Sequence, residues 1–284
     1  MNVKKEFKKR NLFLAMLFLM AITVNAQEQK QVGKRVNIAL EHGSHRLGKR
    51  TDAMMQQWRD YGLGQFIHWG IYSITGGNWN GEFYPGASEF IRTWNKMPTE
   101  VYDNLYKKFN PKNFDPKVWA KQAKNMGAKY MIITTKHHDG FCLWPSKFTD
   151  YTIANTPYKK DIIGDIVNAY EAEGIDVYLY FSVMDWNHPG YRAEIKTKED
   201  EVAYEDFKAF TRNQLLELIE RYPSAKGLWF DGTWDAAWKK QAKFADDLEK
   251  EIKAKIDRAV LSSYSLRSKK DLIERFLSSI DNHS

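Results

Sequence analysis

The chain has 284 residues, and 43 lysines and arginines against 36 aspartates and glutamates give it a formal net charge of +7. Five of the basic residues lie within the first ten positions and no arginine-rich stripe follows, so a nucleic acid, which requires clustered cations, is not an expected partner. The single cysteine, Cys142, excludes an internal disulfide, and the fold must therefore depend on its hydrophobic core.

Residues 1–26 have the pattern of a signal peptide. Basic residues come first, an apolar stretch over 11–24 follows, and Val24-Asn25-Ala26 is a cleavage site of the small-x-small kind. The apolar stretch is shorter than the roughly 20 residues that a membrane span needs. We therefore expect an exported chain, periplasmic or secreted, that is cleaved near Ala26 and has no membrane attachment afterwards. Residues 27–50 are interpreted as a linker and residues 51–284 as one partial barrel domain.

Strand-like and helix-like segments alternate along this domain. Strands are predicted at 63–69, 129–135, 176–182, 227–231 and 258–263. Helices are predicted at 116–126, 161–173, 201–222 and 233–256. Repeated βα units of this size indicate an α/β fold with a parallel sheet and helices outside it. Because no glycine-rich phosphate loop follows a strand, a (β/α)8 TIM-type barrel, with about five of its eight strands recognisable, is favoured over a nucleotide-binding sheet.

Polar residues follow the predicted strands at their carboxyl ends, where barrel enzymes keep their active sites. The most informative run, Lys136-His137-His138-Asp139-Gly140, directly follows the apolar segment 130–135 and brings two imidazoles and a carboxylate together. His68 and Asp231 stand at the ends of two other predicted strands. The sequence therefore predicts a catalytic or binding site at this edge of the sheet.

Histidine and aspartate side chains also bind zinc, so a metal site is an alternative interpretation. Two adjacent residues on an extended segment are expected to point to opposite sides, and the usual two-histidine zinc spacings are absent from the chain. We therefore expect no metal and no other cofactor. A metal-dependent barrel hydrolase is the least favoured of three hypotheses about function.

Several motifs resemble those of the α-L-fucosidases of glycoside hydrolase family 29. In chain order they are 66–73 (FIHWGIYS), 134–141 (TTKHHDGF), 180–182 (YFS) with 185–186 (DW), and 228–232 (LWFDG). The similarity covers about residues 50–265 in the order of the family. It implies an exo-acting glycosidase of retaining mechanism that releases terminal α-L-fucose from fucosylated glycans.

The resemblance implies that Asp231 is the catalytic nucleophile. In a retaining glycosidase such a carboxylate attacks the anomeric carbon and forms a glycosyl-enzyme ester, which water then cleaves. A rigid position at the end of an apolar strand suits this role. An aspartate before Gly232-Thr233 could instead cap the following helix, and this alternative stays open at the level of sequence.

The resemblance also implies the residues that bind the sugar. Those that match hydroxyl-binding positions of the family are His68, Glu89, His137 and His138. The family usually has a tryptophan after the glutamate, where this chain has Phe90. Trp79 lies on the loop that leads to Glu89. Tyr180 and Trp234 are candidates for the sugar-facing wall, and packing in the core is the alternative role for both.

No residue is identified as the general acid. The resemblance places that residue beyond a later strand, and no carboxylate after the predicted fifth strand, Glu274 included, has a matching context. We therefore expect a truncated barrel, with a fucose-binding remnant that lacks turnover as the second hypothesis. An ionised Asp231 without an acid is expected to act only on substrates whose leaving group needs no protonation.

Overall fold

A computed structural model describes residues 60–261 of the chain. The predicted signal peptide, the linker and Glu274 lie outside the described residues. Residues 60–261 contain six strands: β1 (Gly64–Ile67), β2 (Asn78–Trp79), β3 (Glu82–Phe83), β4 (Tyr130–Lys136), β5 (Asp176–Ser182) and β6 (Gly227–Asp231). The α-helices are α1 (Thr99–Asp103), α2 (Pro116–Asn125), α3 (Ile162–Ala172), α4 (Lys198–Arg221), α5 (Ala236–Lys239) and α6 (Ala242–Leu261). No helix within the described range is both long enough and apolar enough to span a bilayer.

Four of the strands form one parallel sheet in the order β1-β4-β5-β6. Helix α2 precedes β4, α3 connects β4 to β5, and α4 connects β5 to β6, so each crossover carries a helix. The α/β class and the parallel sheet are confirmed, and a closed barrel stays a prediction. The short strands β2 and β3 form a separate antiparallel hairpin.

The central strands β4 and β5 are buried on both faces, which explains why their sequences are nearly continuous apolar runs. Successive side chains of a strand point to opposite faces. Ile132, Tyr178 and Tyr180 accordingly share one face and form a small hydrophobic cluster. Alternate residues such as Ile133 and Leu179 belong to the main core on the other face.

Local signals explain where the helices begin and end. Asp115 caps α2 by accepting hydrogen bonds from the backbone N–H groups of Lys117 and Val118, and Gly127 follows the helix with φ +86°. Thr197 and Asp200 form a reciprocal capping box at the start of α4. These ends agree with the sequence predictions to within a few residues.

The predicted fifth strand is wrong. Helix α6 continues to Leu261, so residues 258–261 are helical, and the predicted helix 233–256 consists of α5 and α6. A short apolar run does not distinguish a strand from a helix by periodicity, and Arg, Ala and Leu in this segment are good helix formers. The four other predicted strands are confirmed.

Candidate active site

Five side chains that come from separate segments converge beyond the carboxyl edge of the sheet. They are His68 after β1, Glu89 in the 3-10 helix Ser88–Thr93, His137 and His138 after β4, and Asp231 at the end of β6. One side-chain nitrogen or oxygen from each of His68, Glu89 and His137 lies within 4.8 Å of the other two, and the same holds for His137, His138 and Asp231. Since His137 belongs to both groups, the five side chains form one cluster, which we call the histidine cluster.

The two adjacent histidines do not point to opposite sides. Their ring centroids are 4.2 Å apart, because β4 ends at Lys136 and the chain turns at Gly140, where φ is +84°. The sequence-based argument against a metal site is therefore wrong in this respect, since the spacing in the cluster is compatible with a bound cation. That the chain needs no metal stays a prediction.

Asp231 is held by two hydrogen bonds and still faces solvent. Its Oδ2 accepts a hydrogen bond from the Tyr180 hydroxyl at 2.5 Å, and its Oδ1 accepts one from the Gly232 backbone N–H at 2.8 Å. The side chain is 30% exposed, so a ligand can reach it. Helix α5 begins after Asp235, which excludes the capping role for Asp231.

Tyr180 joins the carboxylate to the imidazoles. Burial, followed by the charge of Asp231, raises the pKa of Tyr180 above its usual range, so the phenol stays protonated and donates to Asp231 at neutral pH. Its ring is stacked on that of His137, with an interplanar angle of 3° and centroids 5.5 Å apart. Tyr180 is therefore buried like a core residue and also touches the candidate nucleophile.

All three imidazoles of the cluster are uncharged at neutral pH. Burial, with help from His138 and His68, lowers the pKa of His137 to about 2. Burial lowers the pKa of His138 to about 4 although Asp231 acts in the opposite direction, and burial also lowers the pKa of His68. Nδ1 of His137 and Nε2 of His138 are buried without a hydrogen-bond partner in the described part of the chain. A neutral imidazole offers one donor and one acceptor, which suits ligand hydroxyl groups.

Aromatic rings surround His138. The ring of Phe90 lies 5.3 Å from the imidazole, and the rings of Trp186 and Trp234 each lie 5.4 Å from it. Trp234 is 48% exposed, so it forms an outer wall rather than part of the core. Trp186 belongs to the 185–186 motif at the end of a predicted strand, but the sequence assigns it no particular role.

Phe66 and Lys136 also belong to motifs of the sequence, which assigns neither of them a role. Phe66 lies 4.7 Å from His68, and its position two residues earlier on an extended chain is the signal that places it on the same face. The Lys136 ammonium forms an ion pair with Asp185 at 2.9 Å, and both side chains are buried. Nothing in the sequence pairs these two residues, which are 49 positions apart.

Two residues highlighted by the sequence lie outside the cluster. Trp79 packs against the main core, and its indole Nε1 is buried without a hydrogen-bond partner among residues 60–261, so its role in binding the sugar stays a prediction. The carboxylate of Asp139 accepts hydrogen bonds from the Tyr102 hydroxyl at 2.6 Å and from the Phe141 backbone N–H at 3.1 Å. Asp139 therefore stabilises the loop after β4 and does not join the imidazoles.

Acidification from pH 6.5 to about pH 4 is expected to destabilise the chain. In this range the unfolded chain protonates His137 and His138 with a pKa near 6.5, whereas the folded chain keeps them neutral because their pKa values are about 2 and about 4. Stability is therefore full above pH 6.5 and is lost as the pH falls through this window. Burial raises the pKa of Asp139 from 3.8 to about 6, so this group alone would stabilise the folded chain on acidification. It takes up one proton, whereas the two histidines of the unfolded chain take up two, and the net effect is a loss of stability. Urea unfolding at both ends of the range measures the loss.

The matched variant for this measurement is Asp139→Asn. It removes the opposing proton while it leaves both imidazoles in place, so the loss of stability on acidification should become steeper. A free energy of unfolding that is equal at both ends of the range in the wild-type chain would contradict the assignment of neutral, buried imidazoles.

Comparisons with known proteins find matches to one family. A family model described as alpha-L-fucosidase matches residues 38–279. The tissue alpha-L-fucosidase of Bos taurus is 31% identical over 182 residues, which cover 61% of this chain and 38% of that protein. The corresponding protein of Homo sapiens is 32% identical over 182 residues, with the same coverage of 61% and 38%.

Solved structures give the same result. A crystal structure of an alpha-L-fucosidase GH29 from Bacteroides thetaiotaomicron is 56% identical, with a TM-score of 0.71 over 75% of this chain and 48% of that one. Another structure of a GH29 alpha-L-fucosidase from that organism is described as a trapped covalent intermediate in complex with 2-fluoro-fucosyl fluoride. Alpha-L-fucosidase isoenzyme 1 from Paenibacillus thiaminolyticus is 35% identical, with a TM-score of 0.58 over 71% of this chain and 48% of that one.

The chain spans less than half of the length of the bovine, human and Paenibacillus relatives and of the first Bacteroides structure. The family model nevertheless matches most of this chain, and the resemblance inferred from its motifs is confirmed. The chain belongs to the alpha-L-fucosidase family, glycoside hydrolase family 29.

Proposed function

We propose that the protein is a retaining exo-α-L-fucosidase that releases terminal α-L-fucose from glycans, with Asp231 as its nucleophile. One observation carries the proposal: a partly exposed carboxylate, held by two hydrogen bonds, faces uncharged imidazoles, and Nδ1 of His137 and Nε2 of His138 are buried without a hydrogen-bond partner among residues 60–261. A carboxylate beside hydroxyl-binding groups is the arrangement that a retaining glycosidase needs. Family membership supports fucose as the sugar.

The covalent step would use Asp231 directly. One of its oxygens bonds to the anomeric carbon of the bound fucoside while the bond from that carbon to the leaving oxygen breaks. Water then attacks the anomeric carbon of the ester, frees the carboxylate and restores the α configuration through a second inversion, while the proton that the water loses passes to solvent and balances the leaving oxygen released in the first step. Tyr180 would keep the carboxylate oriented in both steps, since its protonated hydroxyl donates to Oδ2.

Recognition of the sugar would use the neutral imidazoles. Nε2 of His138 lies 3.9 Å from Oδ2 of Asp231, so it is close to the point where the anomeric carbon would sit. The hydroxyl on the neighbouring carbon is therefore the one we assign to His138, and hydrogen bonds to that hydroxyl strengthen in glycosidase transition states. The rings of Phe90, Trp186 and Trp234 would cover apolar parts of the sugar, including its methyl group.

Three further proposals concern the whole protein. The four adjacent parallel strands are proposed to be part of a (β/α)8 barrel, which the crossover helices support. Export is proposed from the signal-peptide pattern of residues 1–26. Fucosylated glycans are the proposed partners, and neither a nucleic acid nor, after cleavage, a membrane is included among them.

Turnover is expected to depend on the leaving group. Without an identified general acid, the chain should hydrolyse an aryl α-L-fucoside with an acidic phenol and should be much slower on a natural fucosyl disaccharide, because only the second leaving group needs a proton. Parallel initial-rate measurements with the two substrates test this. Equal rates on both would contradict the prediction, and binding of fucose without turnover of either would favour a fucose-binding remnant.

His137→Phe is expected to weaken transition-state binding by about 1–3 kcal/mol, a factor of about 5 to 150 in kcat/KM. The phenyl ring can keep the stacking on Tyr180, whereas both ring nitrogens are lost. The matched control is His188→Phe, since the ring of His188 packs on Phe207 and Phe210 and its Nδ1 accepts a hydrogen bond from the Gly190 backbone N–H, while no ring contact among residues 60–261 joins it to the cluster. Wild-type kcat/KM in His137→Phe would remove this residue from the proposed site.

A further inference from the structure

Ser182 makes three polar contacts at the end of β5, where it is fully buried. Its hydroxyl donates to the Met184 carbonyl at 2.9 Å and accepts a hydrogen bond from the Met184 backbone N–H at 3.0 Å. The third contact joins Ser182 Oγ to His138 Nδ1 at 2.6 Å. Ser182 thus lies between the backbone of the next loop and the imidazole that faces Asp231.

A count of protons assigns the direction of the third contact. A serine hydroxyl carries one hydrogen and two lone pairs. If that hydrogen is donated to the Met184 carbonyl, Oγ can only accept from His138, so Nδ1 must carry the imidazole hydrogen. This arrangement satisfies all three contacts at once. The reverse arrangement would direct the hydroxyl hydrogen to Nδ1 and leave the Met184 carbonyl without the Ser182 donor.

We propose that Ser182 is a positioning residue that holds His138 as the Nδ1–H tautomer. Nε2 of His138 then carries a lone pair and serves as a hydrogen-bond acceptor. This nitrogen is buried, has no protein partner within the described range and lies 3.9 Å from Oδ2 of Asp231. A ligand hydroxyl beside Nε2 can donate its single hydrogen to this nitrogen. The doubly protonated imidazole does not compete at neutral pH, because burial lowers the pKa of His138 to about 4.

The consequence for recognition rests on the proposed function, whereas the tautomer itself does not. With a lone pair on Nε2, His138 accepts the hydrogen of a sugar hydroxyl, and a methoxy group at the same place cannot supply one. With the opposite tautomer, Nε2–H would point towards the Asp231 carboxylate and would compete with the ligand for it. Ser182 would therefore select for a free hydroxyl group without touching the sugar.

The tautomer is measured by long-range ¹H–¹⁵N correlation spectra of the imidazole rings in the ¹⁵N-labelled full chain at neutral pH. We expect His138 to show a protonated Nδ1 and an unprotonated Nε2. In Ser182→Ala, a mixture of tautomers or the Nε2–H form should appear, and Ser182→Thr, which keeps a hydroxyl, should restore the wild-type pattern. The matched control is Ser146→Ala, which removes a buried serine hydroxyl that donates to Glu217 at 2.8 Å, and it should leave the His138 spectrum unchanged.

A titration with L-fucose provides the second measurement. Ser182→Ala is expected to bind L-fucose about tenfold more weakly, the loss that corresponds to one hydrogen bond of about 1.4 kcal/mol, and Ser146→Ala should bind like the wild type. A wild-type His138 with Nε2–H would overturn the proposal even if Ser182→Ala failed to fold. An unchanged tautomer in a folded Ser182→Ala would overturn it too. A wild-type Nδ1–H form that shifts in Ser182→Ala, without any binding of L-fucose, would support the role of Ser182 and contradict the proposed function.

Discussion

Asp231→Gly is expected to lower kcat/KM for an aryl α-L-fucoside by about a thousandfold or more. The variant removes the only group proposed to form the covalent intermediate, and it leaves the imidazoles in place. It also leaves the Tyr180 hydroxyl without its acceptor. Because the sugar-binding side chains remain, the affinity for L-fucose should change much less than the rate.

An external anion separates loss of the nucleophile from loss of structure. Azide can occupy the space of the missing carboxylate and attack the anomeric carbon of the aryl fucoside as the phenolate leaves. Since only one inversion takes place, the product is a β-configured fucosyl azide, which identifies the face that Asp231 attacks. Product analysis by NMR checks the configuration. An α-configured azide, or a variant that keeps wild-type activity, would contradict the assignment of Asp231.

The chain offers a matched control in Asp176→Gly. Asp176 also accepts a hydrogen bond from a tyrosine, Tyr61, at 2.6 Å, but it lies at the opposite, amino edge of the same sheet. In barrel enzymes that edge contributes to stability and not to chemistry. Asp176→Gly should therefore lower the stability and leave kcat/KM near the wild-type value, and azide should not change its products.

The sequence predicts the parallel sheet because its signals are local. The strands β4 and β5 are apolar runs of the right length, and the glycines after α2 and α3 mark where those helices end. Prediction from local signals fails at residues 258–261, where a short apolar run continues a helix. Packing and chain context, rather than periodicity alone, determine whether such a segment forms a strand or a helix.

Only part of the candidate site can be predicted from such local signals. Side chains at the carboxyl ends of neighbouring parallel strands must lie near one another, so the convergence of His68, His137 and Asp231 follows from the topology. The orientation of His138 depends on Ser182, 44 positions away, and on a turn that begins after β4. Such contacts depend on tertiary structure, and the hydrophobic periodicity of the sequence does not predict them. Tyr180 is a second example. From the sequence it cannot be distinguished from an aromatic core residue of a strand, and only the structure shows that its hydroxyl contacts Asp231.

The buried ion pair between Lys136 and Asp185 stabilises the segments that carry the candidate site. Oδ2 of Asp185 contacts the Lys136 ammonium at 2.9 Å, and Oδ1 accepts the backbone N–H groups of Asn187 and His188. The carboxylate thus joins the end of β4 to the loop after β5. A side chain at Gly140 would collide with it, since a Cβ there would lie 2.2 Å from Oδ1. Glycine is required at this turn because φ is positive there and because there is no space for a side chain.

Asp185→Asn is expected to lower the free energy of unfolding by about 3–5 kcal/mol, because it leaves the Lys136 charge buried without a partner. The amide can still accept the backbone hydrogen bonds, so the loss reports on the charge. Lys136→Met in the same chain should recover much of the stability, since the double variant buries no unpaired cation. The control is Asp247→Asn, which breaks an exposed pair with Lys243 and should not change the stability measurably. Urea unfolding of the wild type and the three variants measures each free energy, and an effect of Asp185→Asn no larger than that of Asp247→Asn would show that the buried pair does not hold the end of β4 and the loop after β5 together.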